Sequence, residues 1–375
     1  MTSDIVIGTE LRIRCTRGEF AEQLAIAARG LSARSSVQIL SGVLLRGGSG
    51  EVELAATDME LSVRTSMQAS VEGDGAVVVP GRLLVELVRL LPDAEVSLEH
   101  RAEESVLHVA SGSAEYRLRT YAVEDFPRLP EVATAQLHAV ETEPLLETIA
   151  RVGRAASRDE SRPVLTGILV RFEPGKLVMA ATDSYRLAVK ETALVGELPE
   201  LEAIIPARAL DELRRIAAGS ETVDLGMLEN HVVFGVNGVW LTTRRIDGQF
   251  PNYTQLVPET FEHEVRMARD ELLDVVRRTA VMAQRNSPLR LRFADGELTI
   301  SAQTQDVGES RETLPAAFTG EPLEIGFNAE FLRDGVDSIA GDDLVLKLIN
   351  PLRPGLIQGP DDDFWYLIMP IRLAG

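Results

Sequence analysis

The chain has 375 residues, with 38 basic against 58 acidic side chains and a formal net charge of −20. At about 150 residues per domain it holds two to three domains, each able to bury its own core, and no apolar run is long enough for a membrane-spanning helix. Cys15 is the only cysteine, which excludes an internal disulfide and suits a reducing cytoplasm, while the acid excess argues against nucleic acid unless the charges segregate.

From the start, "MTSDIVIGTELRIR" lacks the basic-then-apolar order of a secretory signal. The stretch "FAEQLAIAARGLSARSSVQILSGVLLRGGSGEVELAATD" (Phe20 to Asp58) predicts an apolar-periodic helix, a strand, a glycine turn and a second strand. A second helix follows from Val79 ("VPGRLLVELVRLLPD"), and "EDFPRLPE" (Glu124 to Glu131) reads as a linker. The same order then returns. "LLETIARVGRAASRDESRPVLTGILVRFEPGKLVMAATD" (Leu145 to Asp183) lies over the first copy without a gap, 125 positions on (182 minus 57). "IPARALDELRRIAAG" from Ile205 is its second helix and "GQFPNYTQLVPE" (Gly248 to Glu259) its linker. A third copy, Glu271 to Thr304, places Gly296 on Gly175, and "FNAEFLRDGVDSIAG" from Phe327 follows it. Pro80 and Pro206 suit a helix's first turn. The expectation is an α+β chain of three tandem domains at 1–134, 135–258 and 259–375, too large per unit for a solenoid.

Arginines gather on the predicted helices. Arg151, Arg154 and Arg158 are spaced three and four apart, away from the apolar face of Leu145, Leu146, Ile149 and Val152. Arg29 and Arg34 stand at the matching end of the first copy, and Arg277, Arg278 and Arg285 at that of the third. One reading is a solvated face with charge pairs. The other is a helix-lined surface that meets phosphates, sequence-independently, while the acidic residues lie elsewhere.

No phosphate-binding loop, nucleophile elbow or metal-ligand spacing is present, and the five histidines are scattered. No cofactor is therefore expected. Thr57-Asp58 and Thr182-Asp183 repeat, but the third copy reads "SAQT", so a three-carboxylate site cannot form. An Asp where a strand enters a turn bonds local backbone N–H groups, and the tetrad Ala-Ala-Thr-Asp marks duplication rather than catalysis. At the end of the chain, "DDDFWYLIMPIRLAG" predicts a buried strand over Phe364 to Met369 that Pro370 stops. It is either tucked into a core or the wall of a Met- and Leu-lined peptide pocket.

Three tandem units, "ATDSYRLAV" from Ala181, "DGQFPNY" from Asp247, "IGFNAEFL" from Ile325 and the closing "MPIRL" together resemble the bacterial sliding clamp family, the beta subunits of DNA polymerase III. The resemblance covers essentially the whole chain. It implies the DNA clamp fold, with helices on one side and antiparallel sheets on the other, in a head-to-tail homodimeric ring around duplex DNA. It implies a cytoplasmic, non-catalytic processivity factor with no membrane association. The implied partners are the polymerase III catalytic subunit, the clamp loader, and other polymerases and repair proteins that carry a clamp-binding motif. A peptide site between the second and third domains falls on Leu165, Thr182, Arg186, Leu187, Pro251, Leu256, Leu367, Met369, Pro370, Ile371, Arg372 and Leu373, with Asn328 and Phe331 at its rim. Arg34 matches a position near the duplex; Arg158, Arg162 and Arg285 follow by repeat analogy. Tyr116 and Leu118 would meet Val281 and Met282 of a partner. The rival readings are an enzyme built on the Thr-Asp pair and a scaffold that never encircles DNA.

Overall fold

The computed structural model describes residues 11–32, 37–283, 287–304, 308–360 and 363–373. The first repeat runs β1 (Leu11–Thr16), α1 (Arg17–Ala27), β2 (Gly42–Gly48), β3 (Glu51–Thr57), β4 (Leu61–Gln68), β5 (Ser70–Glu72), β6 (Gly75–Pro80), α2 (Gly81–Leu90), β7 (Glu95–Arg101), β8 (Val106–Ser111) and β9 (Ala114–Arg119). The second runs β10 (Leu137–Glu141), α3 (Thr142–Val152), α4 (Pro163–Thr166), β11 (Gly167–Glu173), β12 (Lys176–Thr182), β13 (Arg186–Ala193), β14 (Glu202–Pro206), α5 (Ala207–Ile216), β15 (Thr222–Met227), β16 (His231–Val236) and β17 (Val239–Arg244). The third runs β18 (His263–Ala268), α6 (Arg269–Ala280), β19 (Leu289–Ala294), β20 (Glu297–Thr304), β21 (Gly308–Pro315), β22 (Leu323–Phe327), α7 (Ala329–Asp337), β23 (Asp343–Leu348), β24 (Gly355–Gln358) and β25 (Phe364–Ile368).

Local chemistry explains the elements. Helix α1 starts where the Thr16 hydroxyl accepts from the Glu19 N–H (3.4 Å) and buries Phe20, Leu24 and Ala27, spaced three and four apart. Asn328 caps α7, accepting from Glu330 and Phe331 N–H at 2.9 and 3.1 Å. Pro80 is the residue before α2 and Pro206 the last of β14, so both stand just outside the helix rather than in its first turn. The three predicted turn glycines, Gly50, Gly175 and Gly296, all take positive φ (82°, 76°, 74°) in the hairpins β2–β3, β11–β12 and β19–β20.

Packing gathers the described residues into two units. One ends at Thr142 and includes Glu212–Arg245; the other comprises Glu143–Asp211 and the chain from Ile246 onward. In the first, β10-β15-β16-β17-β4-β3-β2-β6 form one antiparallel sheet and β5-β1-β7-β8-β9 another. In the second, β14-β11-β12-β13-β25-β24-β23-β18 form one and β21-β20-β19-β22 another. Each long sheet therefore joins the last strand of one repeat to the preceding repeat, β17 to β4 and β25 to β13. The counterparts β9 and β21 stand at sheet edges. Phe20 and Leu24 of α1 pack with Leu84 and Val88 of α2 over the strands of the first repeat, each buried side chain stabilising the fold by about 2 kcal/mol.

Candidate functional site

The Ala-Ala-Thr-Asp tetrads build the same turn twice. Thr57 and Thr182 each donate to a backbone oxygen four residues on (Leu61 O, 3.0 Å; Arg186 O, 2.7 Å). Asp58 Oδ1 accepts from Glu60 and Leu61 N–H, and Asp183 Oδ1 from Tyr185 and Arg186 N–H. The residue between, Met59 or Ser184, has φ of 80° in both. The carboxylates are thus turn-formers, as the sequence predicts. Among the described residues no group of three or more His, Cys, Asp or Glu side chains is arranged for a metal.

In the second unit this turn leads into β13, which pairs with β25 in the register Leu187↔Leu367. Leu187 and Leu367 lie in one buried cluster with Leu169, Ala180, Tyr253 and Leu356, and Phe250 and Trp365 pack against it. Met369 donates its N–H to Tyr185 O (2.8 Å) and leaves its side chain 43% exposed. Tyr185, 60% exposed, stacks on Phe331 at 6.4 Å. Exposed apolar groups therefore surround a buried apolar floor.

Arg186 is not at the surface. Its Nε donates to Asp183 (3.0 Å), and its Nη1 to Asp334 (2.7 Å) and to the Tyr366 hydroxyl (3.4 Å). The guanidinium lies 4.3 Å from the Phe331 ring centre. Burial opposes its charge, but Tyr366, Asp334 and Asp183 outweigh that and hold its pKa above the usual arginine value. Burial raises the Tyr366 hydroxyl's pKa in turn. Arg186 thus ties β13 to α7 and β25.

The remaining expected residues divide. Thr182 forms the turn; Asn328 caps α7 and so orients Phe331. Leu165 is buried on α4, with its carbonyl accepting from Ser157 N–H. Pro251 and Leu256 lie exposed on the linker, Leu256 at 50%. Beyond the half-buried Pro370, Ile371 donates to Gly326 O (2.8 Å), while Arg372 is exposed. A Cβ at Gly326 would meet Leu373 Cδ2 at 2.6 Å, so this glycine makes room for the last segment. The strand is tucked into a core, and only Met369 beyond it is exposed enough to line a surface. Sequence reading missed Tyr185, Tyr253 and Trp365, and Asp334 and Tyr366 behind them. The alternation of "YRLAV" could have signalled Tyr185; nothing local signals the pairing of Arg186 with Asp334.

The arginine stripe is in part corrected. Arg151 is buried; its Nε donates to Ser338 O (2.6 Å) and its guanidinium lies 4.4 Å from the Phe364 ring centre. Arg154 pairs with Asp337 (2.6 Å) and Arg278 with Glu312 (2.6 Å). Arg158 is the most open of the α3 stripe, its side chain 92% exposed against 39% for Arg154, and it lies 4.0 Å from Glu330. Arg162 bonds Asp159 and Ser184 (3.1 and 3.2 Å), beside the Thr182–Arg186 turn. Arg34 and Arg285 lie outside the described residues. On the edge strand β9, Tyr116 is 41% exposed and Leu118 belongs to the first core. Val281 is 79% exposed after α6, and Met282 O accepts from the Thr304 hydroxyl.

Three repeats, each of paired helices on antiparallel strands and joined by last-strand addition, define a DNA clamp fold. Family models of the DNA polymerase III beta subunit match the chain at residues 11–130 (N-terminal domain), 139–252 (central domain) and 254–372 (C-terminal domain). The beta sliding clamp of Streptomyces coelicolor is 34% identical over 97% of this chain and all of its own. The solved sliding clamp of Bacillus subtilis superposes with a TM-score of 0.91 at 26% identity, covering 98% of this chain and 100% of that one. That of Bartonella birtlesii, bound to griselimycin, has a TM-score of 0.89 at 30% identity, covering 97% and 100%. The chain belongs to the DNA polymerase III beta subunit family, the bacterial beta sliding clamps.

Proposed function

We propose that this protein is a non-catalytic processivity factor whose apolar site at the β13–β25 seam holds partner peptides. Its domains divide near residues 134 and 258. The observation that carries the reading is the pair of exposed apolar groups, Tyr185 and Met369, joined by a backbone hydrogen bond beside the buried Leu187–Leu367 floor, and we place Leu256 with them. Such a cleft suits a short extended peptide whose Leu or Phe side chains carry most of the binding energy. Leu165, Thr182, Pro251, Asn328, Phe331, Pro370, Ile371, Arg372 and Leu373 frame it, and Arg186 positions rather than touches. The peptides belong to the polymerase III catalytic subunit, the clamp loader, other polymerases and repair proteins.

Two seams, β17–β4 and β25–β13, repeat within the chain, while β9 and β21 keep free edges. A second copy completes the pattern head to tail, with Tyr116 and Leu118 near Val281 and Met282 of the partner molecule, closing a ring on duplex DNA. Arg34, Arg158, Arg162 and Arg285 meet phosphates only. A closed ring keeps its bound polymerase at high local concentration without tight DNA contact. No described helix is long and apolar enough to cross a membrane; the reading is a cytoplasmic protein.

The test is Met369→Lys, which brings an unpaired charge into the cleft on docking. Fluorescence anisotropy with a Gln-Leu-x-Leu-Phe-type peptide is expected to show loss of at least about tenfold in affinity, near 1.4 kcal/mol. Undiminished affinity in a folded variant overturns the seat.

A further inference from the structure

The seat proposed at the β13–β25 seam is bordered by an aromatic pair whose support is buried. Tyr185 and the half-buried Phe331 stack at 6.4 Å with 27° between their planes, and the Arg186 guanidinium lies 4.3 Å from the centre of the same Phe331 ring. The backbone of both rim residues is fixed as well. Asp183 Oδ1 accepts from Tyr185 N–H (2.9 Å), while Tyr185 O accepts from Met369 N–H (2.8 Å). Phe331 N–H donates to Asn328 Oδ1 (3.1 Å), and Phe331 O accepts from the Tyr366 hydroxyl (3.0 Å).

Behind the rim, each polar group meets a partner. Arg186 donates from Nε to Asp183 Oδ2 (3.0 Å) and from Nη1 to Asp334 Oδ2 (2.7 Å) and the Tyr366 oxygen (3.4 Å), and Asp334 Oδ1 accepts from Arg333 Nη2 (2.9 Å). A planar guanidinium held at several nitrogens keeps its plane as well as its charge in place, which a lysine could not do. Tyr366 is fully buried, and Asp334 is 8% exposed. Helix α7 makes room for the tyrosine ring: a Cβ at Gly335 would meet its Cδ1 and Cε1 at 2.6 and 2.7 Å. Glycine is the poorest helix former after proline, so the helix gives up intrinsic stability where that ring must pass. Alternation along β25 sends Leu367 to the floor of the seat and Tyr366 to the back of α7. One strand therefore supports the seat on both of its faces.

We propose that Tyr366 and Asp334 are positioning residues of the peptide seat, holding the Tyr185–Phe331 rim ready for a peptide through Arg186 and the Phe331 carbonyl. The inference rests on the seat proposed above and adds what keeps its rim in shape. Neither side chain needs to touch the peptide. A rim fixed before docking has less freedom to lose on binding, so its support contributes to affinity without adding a contact.

Tyr366→Phe removes only the hydroxyl, and Asp334→Asn keeps the shape of the side chain. In the full-length protein, at a temperature well below the melting midpoint of each variant, both are expected to lose about fivefold in affinity for a Gln-Leu-x-Leu-Phe-type peptide, the scale of one hydrogen bond. The readout that separates positioning from general loosening is a double-mutant cycle with Phe331→Ala. With the ring gone, Tyr366→Phe should change affinity by less than about twofold, because the group it acts through is absent. A loss that persists in full beside Phe331→Ala overturns the proposal. Binding that both single variants leave unchanged overturns it too, while the seat stands. A wild-type protein that holds no such peptide overturns the seat and its support together.

Discussion

Arg186 shows how one residue type can answer two different needs. Near a peptide seat an arginine suggests a surface contact, yet this one donates inward to Asp183, Asp334 and Tyr366. Removing it leaves buried Asp183 without its cation and Asp334 with Arg333 alone. Arg186→Ala is therefore expected to lower stability by about 3–5 kcal/mol, read as a lower melting midpoint by calorimetry, whereas Arg158→Ala stays within about 0.5 kcal/mol. Sequence reading found Arg186 and Leu187 by motif but could not assign their directions. Alternation says which residues share a face; it does not say that Asp334, 148 positions on, will meet one of them. Asp58 and Asp183 were legible because the N–H groups that their Oδ1 atoms accept from are local, two and three residues on.

Among elements, the strands decide the architecture. Repeat spacing, the glycine turns and the helices after Pro80 and Pro206 are all readable, since each rests on short-range periodicity or turn chemistry. The addition of β17 to β4 and of β25 to β13 is not, because pairing across repeats leaves no local mark. The arginine stripe of α3 was half legible for the same reason: spacing places Arg151 and Arg154 off the apolar face, but the distant α7 segment buries Arg151 at Ser338 and pairs the exposed Arg154 with Asp337. An exposed edge invites pairing with another chain. Val281→Asp, at a position 79% exposed near the proposed β9–β21 contact, is expected to shift sedimentation from a dimer to the 40.9 kDa chain. Substitution of Val195, 84% exposed and away from that edge, should leave the dimer intact.

Over the whole molecule, charge is spent mostly on itself. Arg29 pairs with Glu212, Arg154 and Arg277 with Asp337, and Arg278 with Glu312. With net charge −20, the chain attracts DNA only weakly, and a clamp that must slide gains from weak attraction. Replacing Arg34, Arg158 and Arg285 by Ala should weaken retention on nicked circular DNA equally for every sequence. It should also flatten the log–log salt dependence by about 0.9 for each phosphate that is no longer neutralised. A sequence-selective loss in that retention assay contradicts phosphate-only binding.

The place of β25 between β13 and β24, strands that precede it in the chain, has a consequence for synthesis. Until Phe364–Ile368 leave the ribosome, β13 and β24 have no strand between them and Leu187 has no facing Leu367. A chain stopped before Phe364 therefore carries two bare sheet edges and lacks the proposed peptide seat. Elongation past Ile368 is therefore required before the proposed seat can hold a partner's peptide.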